Sequence, residues 1–366
     1  EPYDIRGSIL PALCTFRSKF DYDPVDRDGN RIEVPEKLRE MEATSEMCKL
    51  VHMYYFGHVV NAGKGSPSGG IYFDFSRFTD EQIDEMFEAV MDHFDGFYKH
   101  GYYHGESIID FRDLAKKKRR VEVGLTSEYS VGGIFVDENM FTGVPGLYAA
   151  GEAASGVFGA NRVADAVTEM LVQGYKAGEV AAARASEQTR VASDDAAIER
   201  AVGVLEKLLS NQGGIAVSEA IDRLGEISDK ALGMVRNETT LRVGVEAFET
   251  LGAEMDGISL RGKSLRYNRE LMQALAARNL LACSRVAAKM ALERRESRGL
   301  HLRDDYSYID NENWQVRQLA ELVNGEDKLS KKVPVVTRIP LRKAEKIDYE
   351  SFILEEDLGM KNMEES

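Results

Sequence analysis

The chain has 366 residues and is 43% apolar, enough for cores in two or three domains and too apolar for a disordered chain. Its formal charge of −15 excludes nonspecific binding to nucleic acid or anionic lipid, whose phosphates it would repel. Its three cysteines, Cys14, Cys48 and Cys283, form no Cys-x-x-Cys pair, and no run approaches the ~18 apolar residues of a membrane span, so a disulfide framework, a zinc or iron–sulfur site and a direct membrane span are all excluded.

These properties read as a protein of a reducing, cytoplasmic compartment that meets a membrane only through partner subunits. The chain opens on Glu1-Pro2 rather than Met, which reads as a processed product, a truncation or one half of a split protein.

Up to about Lys118, short apolar runs alternate with turn signals such as Asp26-Arg27-Asp28-Gly29 and Ser68-Gly69-Gly70. Ile71 to Phe75 reads as a strand, and Thr79 to Val90 as a helix opened by a capping box. The basic run Lys116 to Arg120 reads as a solvated linker edge rather than an anion-binding patch.

From Val121 to about Ala185 the pattern is strand, turn, strand, loop, helix. Gly132 to Val136 and Gly146 to Ala150 are the predicted strands. The helix is expected to start near Asp165, as N-cap, and to turn Met170, Leu171, Tyr175 and Val180 inward. After Ser193 the chain reads as helical, with Ile198, Val202, Leu205 and Leu209 on one face and Asn211-Gln212-Gly213-Gly214 as the stop. A long helix from about Leu265 to Arg298 carries Leu271, Leu275, Val286 and Met290, with Gly299 as terminator. In the polar tail, Val333 to Leu341 reads as an edge strand or docking arm.

The most informative stretch is Gly146 to Arg162. A strand ending in Gly151-Glu152 offers a carboxylate where α/β sheets bind ligands, able to accept hydrogen bonds from sugar or ribityl hydroxyls. Gly156 and Gly159 allow backbone to approach a flat ring, and the helix start near Asp165 offers free amides and a positive dipole end to a reduced flavin or, equally, to a phosphate. Arg162 carries a planar fork suited to gripping a carboxylate; the alternative is a surface arginine.

Four motifs in order resemble the succinate dehydrogenase and fumarate reductase flavoprotein family, which includes L-aspartate oxidase. They are Tyr129-Ser-Val-Gly132-Gly133-Ile134, the strand ending in Gly151-Glu152, Gly159-Ala-Asn161-Arg162, and Glu296-Ser-Arg-Gly299-Leu-His301-Leu-Arg303-Asp-Asp-Tyr306 with Asn311-Glu-Asn-Trp314. The resemblance implies a mixed α+β and α/β protein: a capping domain over residues 1–125, the C-terminal half of an FAD-binding domain over 126–190, a C-terminal three-helix bundle over 191–310 and an arm over 311–366.

It implies FAD held by Gly132, Gly133, Gly151, Glu152, Asn161, Asp165, Ala166 and Val167. It implies a small carboxylate substrate met by Arg162, Glu128 and Tyr129, with no metal in this chain. Electrons are expected from an iron–sulfur subunit. The family's Gly-x-Gly-x-x-Gly loop is absent, so the other half of the FAD site is expected from a removed N-terminal part or a second chain.

Three departures bear on the substrate. Glu128 stands where the family has a histidine, and a carboxylate there repels a substrate carboxylate unless one is protonated. The family's proton-donating arginine aligns near Cys48 to Phe56, yet no arginine lies between Arg39 and Arg77. Asp165-Ala166-Val167 replaces Asn-Ser-Leu, which backbone amides tolerate. The alternatives are a flavoprotein acting on an amine, a thiol or another unsaturated substrate, or a noncatalytic subunit. His301 and Arg303 are expected to pin the bundle to the flavin domain rather than to act in the site.

Overall fold

The computed structural model describes residues 3–4, 23–33, 53–93, 111–124, 130–154, 166–188, 193–324, 326–332 and 346–348. The chain divides into two compact units, one of residues 1–130 and 350–366 and one of residues 131–349.

The first unit is built on a four-stranded sheet. Strands β1 (Tyr3–Asp4), β2 (Asp23–Val25), β3 (Ile71–Asp74) and β4 (Arg120–Gly124) lie in the order β1-β4-β3-β2, with β1 parallel to β4 and the other pairs antiparallel. Alternation buries Ile71 and Phe73 of β3 and Val121 and Val123 of β4. Helices α1 (Asp80–His93) and α2 (Phe111–Lys118) pack together and add Ile83, Met86, Leu114 and Ala115 to the core.

The expected capping box opens α1: Gln82 N donates to Thr79 Oγ1 (3.2 Å) and Thr79 N to Gln82 Oε1 (2.9 Å). The basic run is not merely a solvated edge. Arg119 donates to the Phe78 carbonyl (2.9 Å), and Arg120 donates to the Asp26 and Arg27 carbonyls while stacking over Tyr72 (4.3 Å).

The second unit carries helices α3 (Ala166–Glu187), α4 (Asp195–Ser210), α5 (Val217–Leu232), α6 (Glu238–Met255) and α7 (Arg269–Glu293). The last three pack pairwise into the expected three-helix bundle, around Leu224, Ala231, Phe248, Leu251, Leu271 and Ala274. Only the C-terminal half of α4 joins this core, through Leu205, Leu208 and Leu209, while Ile198 and Val202 are exposed. On α7 the buried face alternates the large Leu271 and Leu281 with the small Ala274, Ala277, Ser284, Ala288 and Ala291, and the expected Val286 and Met290 are half-buried.

Helix α7 also ends at Glu293, before the expected stop at Gly299, because its last carbonyls are taken by a remote side chain. Arg303, 2% exposed, donates from Nη1 to the Ala291 carbonyl (2.9 Å), and its Nε and Nη2 grip Asp305 (2.6 Å each). Asp305 Oδ2 in turn accepts from Glu238 N (2.8 Å) at the start of α6.

At the end of α5, Arg236 donates to the Leu232 and Gly233 carbonyls and to His301 Nδ1 (3.1 Å). An arginine can only donate, so Nδ1 accepts and Nε2 carries the proton given to the Arg294 carbonyl (3.2 Å). Burial, then the neighbouring Arg236, lowers the His301 pKa to about 3, which keeps the ring neutral. Glu296, fully buried, accepts from Arg294, Arg298 and the Asp310 amide.

One loop thus closes the ends of three helices. In the arrangement seen, His301 and Arg303 tie the bundle to itself through strands β5 (Val235–Arg236) and β6 (Leu302–Arg303), which pair in parallel.

Beyond β7 (Tyr308–Asp310) and α8 (Asn311–Trp314), strands β8 (Arg317–Val323) and β9 (Glu326–Lys332) form a hairpin closed at Asn324 (φ 53°). It is pinned to α7 by Asp327, which accepts from Arg285 and Lys289 at 3.1 Å each. A last strand, β10 (Lys346–Asp348), pairs with β7. The predicted strand at Val333 to Leu341 lies outside the described residues.

Candidate functional site

The stretch from Val131 to Ala154 does not form the two strands expected of it; single bridges hold it instead. A tight turn, in which Asp137 Oδ1 accepts from Asn139 N (2.8 Å) and Phe141 N (3.0 Å), folds the chain back, and the loop 142–147 that follows brings Tyr148 to bridge Phe141. Glycines at 143 and 146 with positive φ turn the chain again and break any longer ladder.

The second bridge brings the predicted cofactor residues together. Ile134 pairs in parallel with Ala154 and its amide donates to the Ala153 carbonyl (2.9 Å). Gly132-Gly133 therefore runs beside the short 3₁₀ turn Gly151–Ala153. The approach is so close that a Cβ on Gly133 would sit 2.6 and 2.7 Å from the Ala153 and Ala154 carbonyl oxygens. Only glycine fits there.

Gly151 is buried with φ +67°, and Ala154 N closes the turn onto its carbonyl (2.9 Å). Glu152, the next residue, is exposed. The turn is gripped by α3. Gly151 N donates to Gln173 Oε1 (2.7 Å), and Gln173 Nε2 donates to Glu169 Oε1 (2.9 Å).

Gln173 and Glu169 are 7% and 6% exposed, whereas Met170, Leu171 and Tyr175, expected to face inward, are 42%, 70% and 77% exposed. Local apolar periodicity misplaced this face, because α3 meets the 3₁₀ turn through a buried hydrogen bond from Gln173 beside the stem of Met170. Residues 169 and 173 are spaced i, i+4, and that pairing was the available signal.

Of the other predicted site residues, Ala166 and Val167 form the first turn of α3, with Val167 66% exposed. Glu128, Tyr129, Asn161, Arg162 and Asp165 lie outside the described residues.

Gly132, Gly133, Gly151 and Glu152 thus meet in one place, flanked by the exposed apolar side chains Val131 and Ile134. A backbone stripped of side chains, apolar flanks and one exposed carboxylate suit a flat ring system that carries hydroxyls, so the residues present fit a flavin. Among the described residues no group of histidine, cysteine or carboxylate side chains could hold a metal ion, and no helix is long and apolar enough to cross a membrane.

Comparisons with known proteins point to the same cofactor. Residues 26–165 match the FAD binding domain family, which indicates FAD as the cofactor, and residues 221–349 match the fumarate reductase flavoprotein C-terminal family. The fumarate reductase flavoprotein subunit of Haemophilus influenzae is 34% identical over 196 residues, 52% of this chain and 33% of that protein. The corresponding flavoprotein of Helicobacter pylori fumarate reductase is 31% identical over 218 residues, 58% of this chain and 30% of that protein. Among solved structures, Mycobacterium smegmatis Sdh1 in complex with UQ1 superposes with a TM-score of 0.68 at 26% identity, covering 88% of this chain and 52% of that one. The chain spans between about a third and about half of the length of these relatives.

Proposed function

Because the chain belongs to the succinate dehydrogenase and fumarate reductase flavoprotein family, we propose that it is part of an FAD-dependent oxidoreductase that moves a hydride between flavin and a small carboxylate-bearing substrate. The observation that carries the reading is the lacing of Gly132-Gly133 against Gly151-Glu152 through Ile134. FAD supplies the two-electron chemistry when bound.

The chain's own residues then bind and orient. Glu152 accepts hydrogen bonds from cofactor hydroxyls, with Gly132 and Gly133 presenting bare backbone. The amides at Ala166 and Val167, at the positive end of α3, favour negative charge, and Asn161 and Asp165 bind the cofactor with their side chains. Arg162 grips a substrate carboxylate with two parallel hydrogen bonds, and Glu128 and Tyr129 are the other substrate contacts. Residues 1–125 act as the domain that closes over the substrate, residues 126–190 as the C-terminal part of the FAD-binding domain and 191–310 as the helical bundle. An iron–sulfur subunit exchanges electrons with the flavin, and contact with a membrane goes through such partners.

The test is anaerobic reduction of the bound flavin with dithionite followed by addition of fumarate. Reappearance of the oxidised-flavin absorbance, at a rate that rises and saturates with fumarate, is the expected result. Flavin that stays reduced with fumarate yet reoxidises with an unsaturated amine or a disulfide would replace the carboxylate reading by a second one. That second reading is favoured by Glu128 in place of a histidine and by the arginine-free run from residue 40 to 76. A native protein without flavin absorbance would reduce this chain to a noncatalytic subunit.

A further inference from the structure

Glu169 and Gln173 are the two buried side chains of α3, and both are polar. Burying an amide and a carboxyl group costs free energy unless each is hydrogen-bonded, and leucine at either position would pack against the turn without that cost. The helix is not short of apolar residues: Val167, Leu171, Val172 and Tyr175 lie on its exposed surface. The polar pair therefore answers a demand of the turn it faces.

That turn is Gly151–Ala153, which contains the exposed Glu152. Two contacts from α3 fix its first residue. Gln173 Oε1 accepts the Gly151 amide at 2.7 Å, and Met170 Cγ lies 2.9 Å from where a Cβ on Gly151 would stand. With the amide held on one side and the Cα hemmed in on the other, Gly151 keeps φ at +67°, and the direction of the next residue is set.

An amide side chain can present either its oxygen or its nitrogen. Glu169 Oε1 accepts from Gln173 Nε2 at 2.9 Å, which turns Gln173 Oε1 toward Gly151.

We propose that Gln173, oriented by Glu169, is a positioning residue for the cofactor: the pair fixes the Gly151 turn and with it the direction in which Glu152 meets FAD. The inference rests on the flavin reading of the site. It assigns the binding geometry of Glu152 to two residues of a helix that need not touch the cofactor.

The experiment compares wild type, Gln173→Leu, Glu169→Leu and Glu169→Gln in the intact protein. It measures FAD dissociation by flavin fluorescence, the visible circular dichroism of bound flavin, and the melting temperature. Losing the one buried acceptor for Gly151 N is expected to weaken FAD about tenfold in Gln173→Leu, with an altered visible dichroism. Glu169→Leu should behave alike, because the Gln173 amide is then free to flip. Glu169→Gln keeps an acceptor and should stay within about twofold of wild type.

A purely structural role would lower the melting temperature and leave the flavin spectrum unchanged. FAD affinity and dichroism in Gln173→Leu equal to wild type would overturn the proposal, as would equal behaviour of Glu169→Leu and Glu169→Gln. If Gln173→Leu does not fold, the two Glu169 variants decide alone. Wild type that binds no FAD would overturn both the flavin reading and this inference, and is told apart because every variant then reads the same as wild type.

Discussion

The helix-end loop around Arg303 and the cofactor segment around Gly151 both bury charged or polar side chains, with opposite results. In the first, every strong donor of Arg303 is answered inside the loop and bundle, by Asp305 and the end of α7, and Glu296 is closed off by two arginines and an amide. In the second, the polar pair Glu169–Gln173 serves a turn whose next residue is exposed and whose flanks are apolar and exposed. A network that closes on itself fixes a fold; one that ends on the amide of a surface turn shapes a surface.

Arg303→Met gives the largest expected change, because it strips the cap from α7 and leaves Asp305 without its ion-pair partner. Asp305 reaches solvent, so the cost falls mainly on the buried Ala291 carbonyl left without a donor, about 1–3 kcal/mol, with the lost charge-assisted bonds in addition. Urea unfolding should record it, and a loss below about 1 kcal/mol would mean that the loop is not what holds the bundle.

The second effect is on pH. The folded pKa of His301, about 3, lies below its ordinary value near 6.5, so the unfolded chain binds this proton first and stability falls as pH drops between those limits. The expected loss is about 1.6 kcal/mol from pH 6.5 to pH 5, the slope rising toward about 1.4 kcal/mol per pH unit as the pH falls below 6.5. Comparing urea midpoints across that range for wild type and His301→Gln isolates the effect; the variant should lack this part of the slope, and identical slopes would refute the neutral ring described above.

Gly151→Ala sharpens the other side of the comparison. A residue other than glycine at φ +67° costs about 1–3 kcal/mol, with the contact to Met170 in addition. The damage should appear as lost FAD with an unchanged melt of the bundle, and adding Met170→Ala should restore only part of it, since the φ penalty remains. Last, Asn237→Ala removes the N-cap of α6, whose side chain accepts from Thr240 N at 2.9 Å, for about 1 kcal/mol; thermal melting should resolve it.

Features encoded locally were legible in the sequence. Thr79 and Gln82 announce α1, and the apolar spacing of Leu271 and its neighbours announces the long helix. Asn324-Gly325 between two strand-like runs is an equally local hairpin signal, though no hairpin was expected there. What could not be read locally was set by partners far along the chain. Helix α7 stops at Glu293 because Arg303 takes its last carbonyls, and α3 turns Tyr175 outward because Gln173 is committed to Gly151, twenty-two residues upstream. The strands expected at 132–136 and 146–150 are single bridges, because the glycines that open the site also interrupt the ladder. For the site itself, the glycines and Glu152 were legible; the pair that orients them was not.

The helix-end loop also sets a timetable. Arg236 and Glu238 meet their partners, His301 and Asp305, across 65 and 67 residues of chain. At about 5–20 residues per second, a ribosome exposes the ends of α5 and α6 for about 3–13 seconds before the residues that close them are made. Through that interval the ends of α5 and α6 rely on local caps, Arg236 on the Leu232 and Gly233 carbonyls and Asn237 on Thr240, so synthesis, rather than the finished molecule, is when this protein is most open to chaperones and proteases.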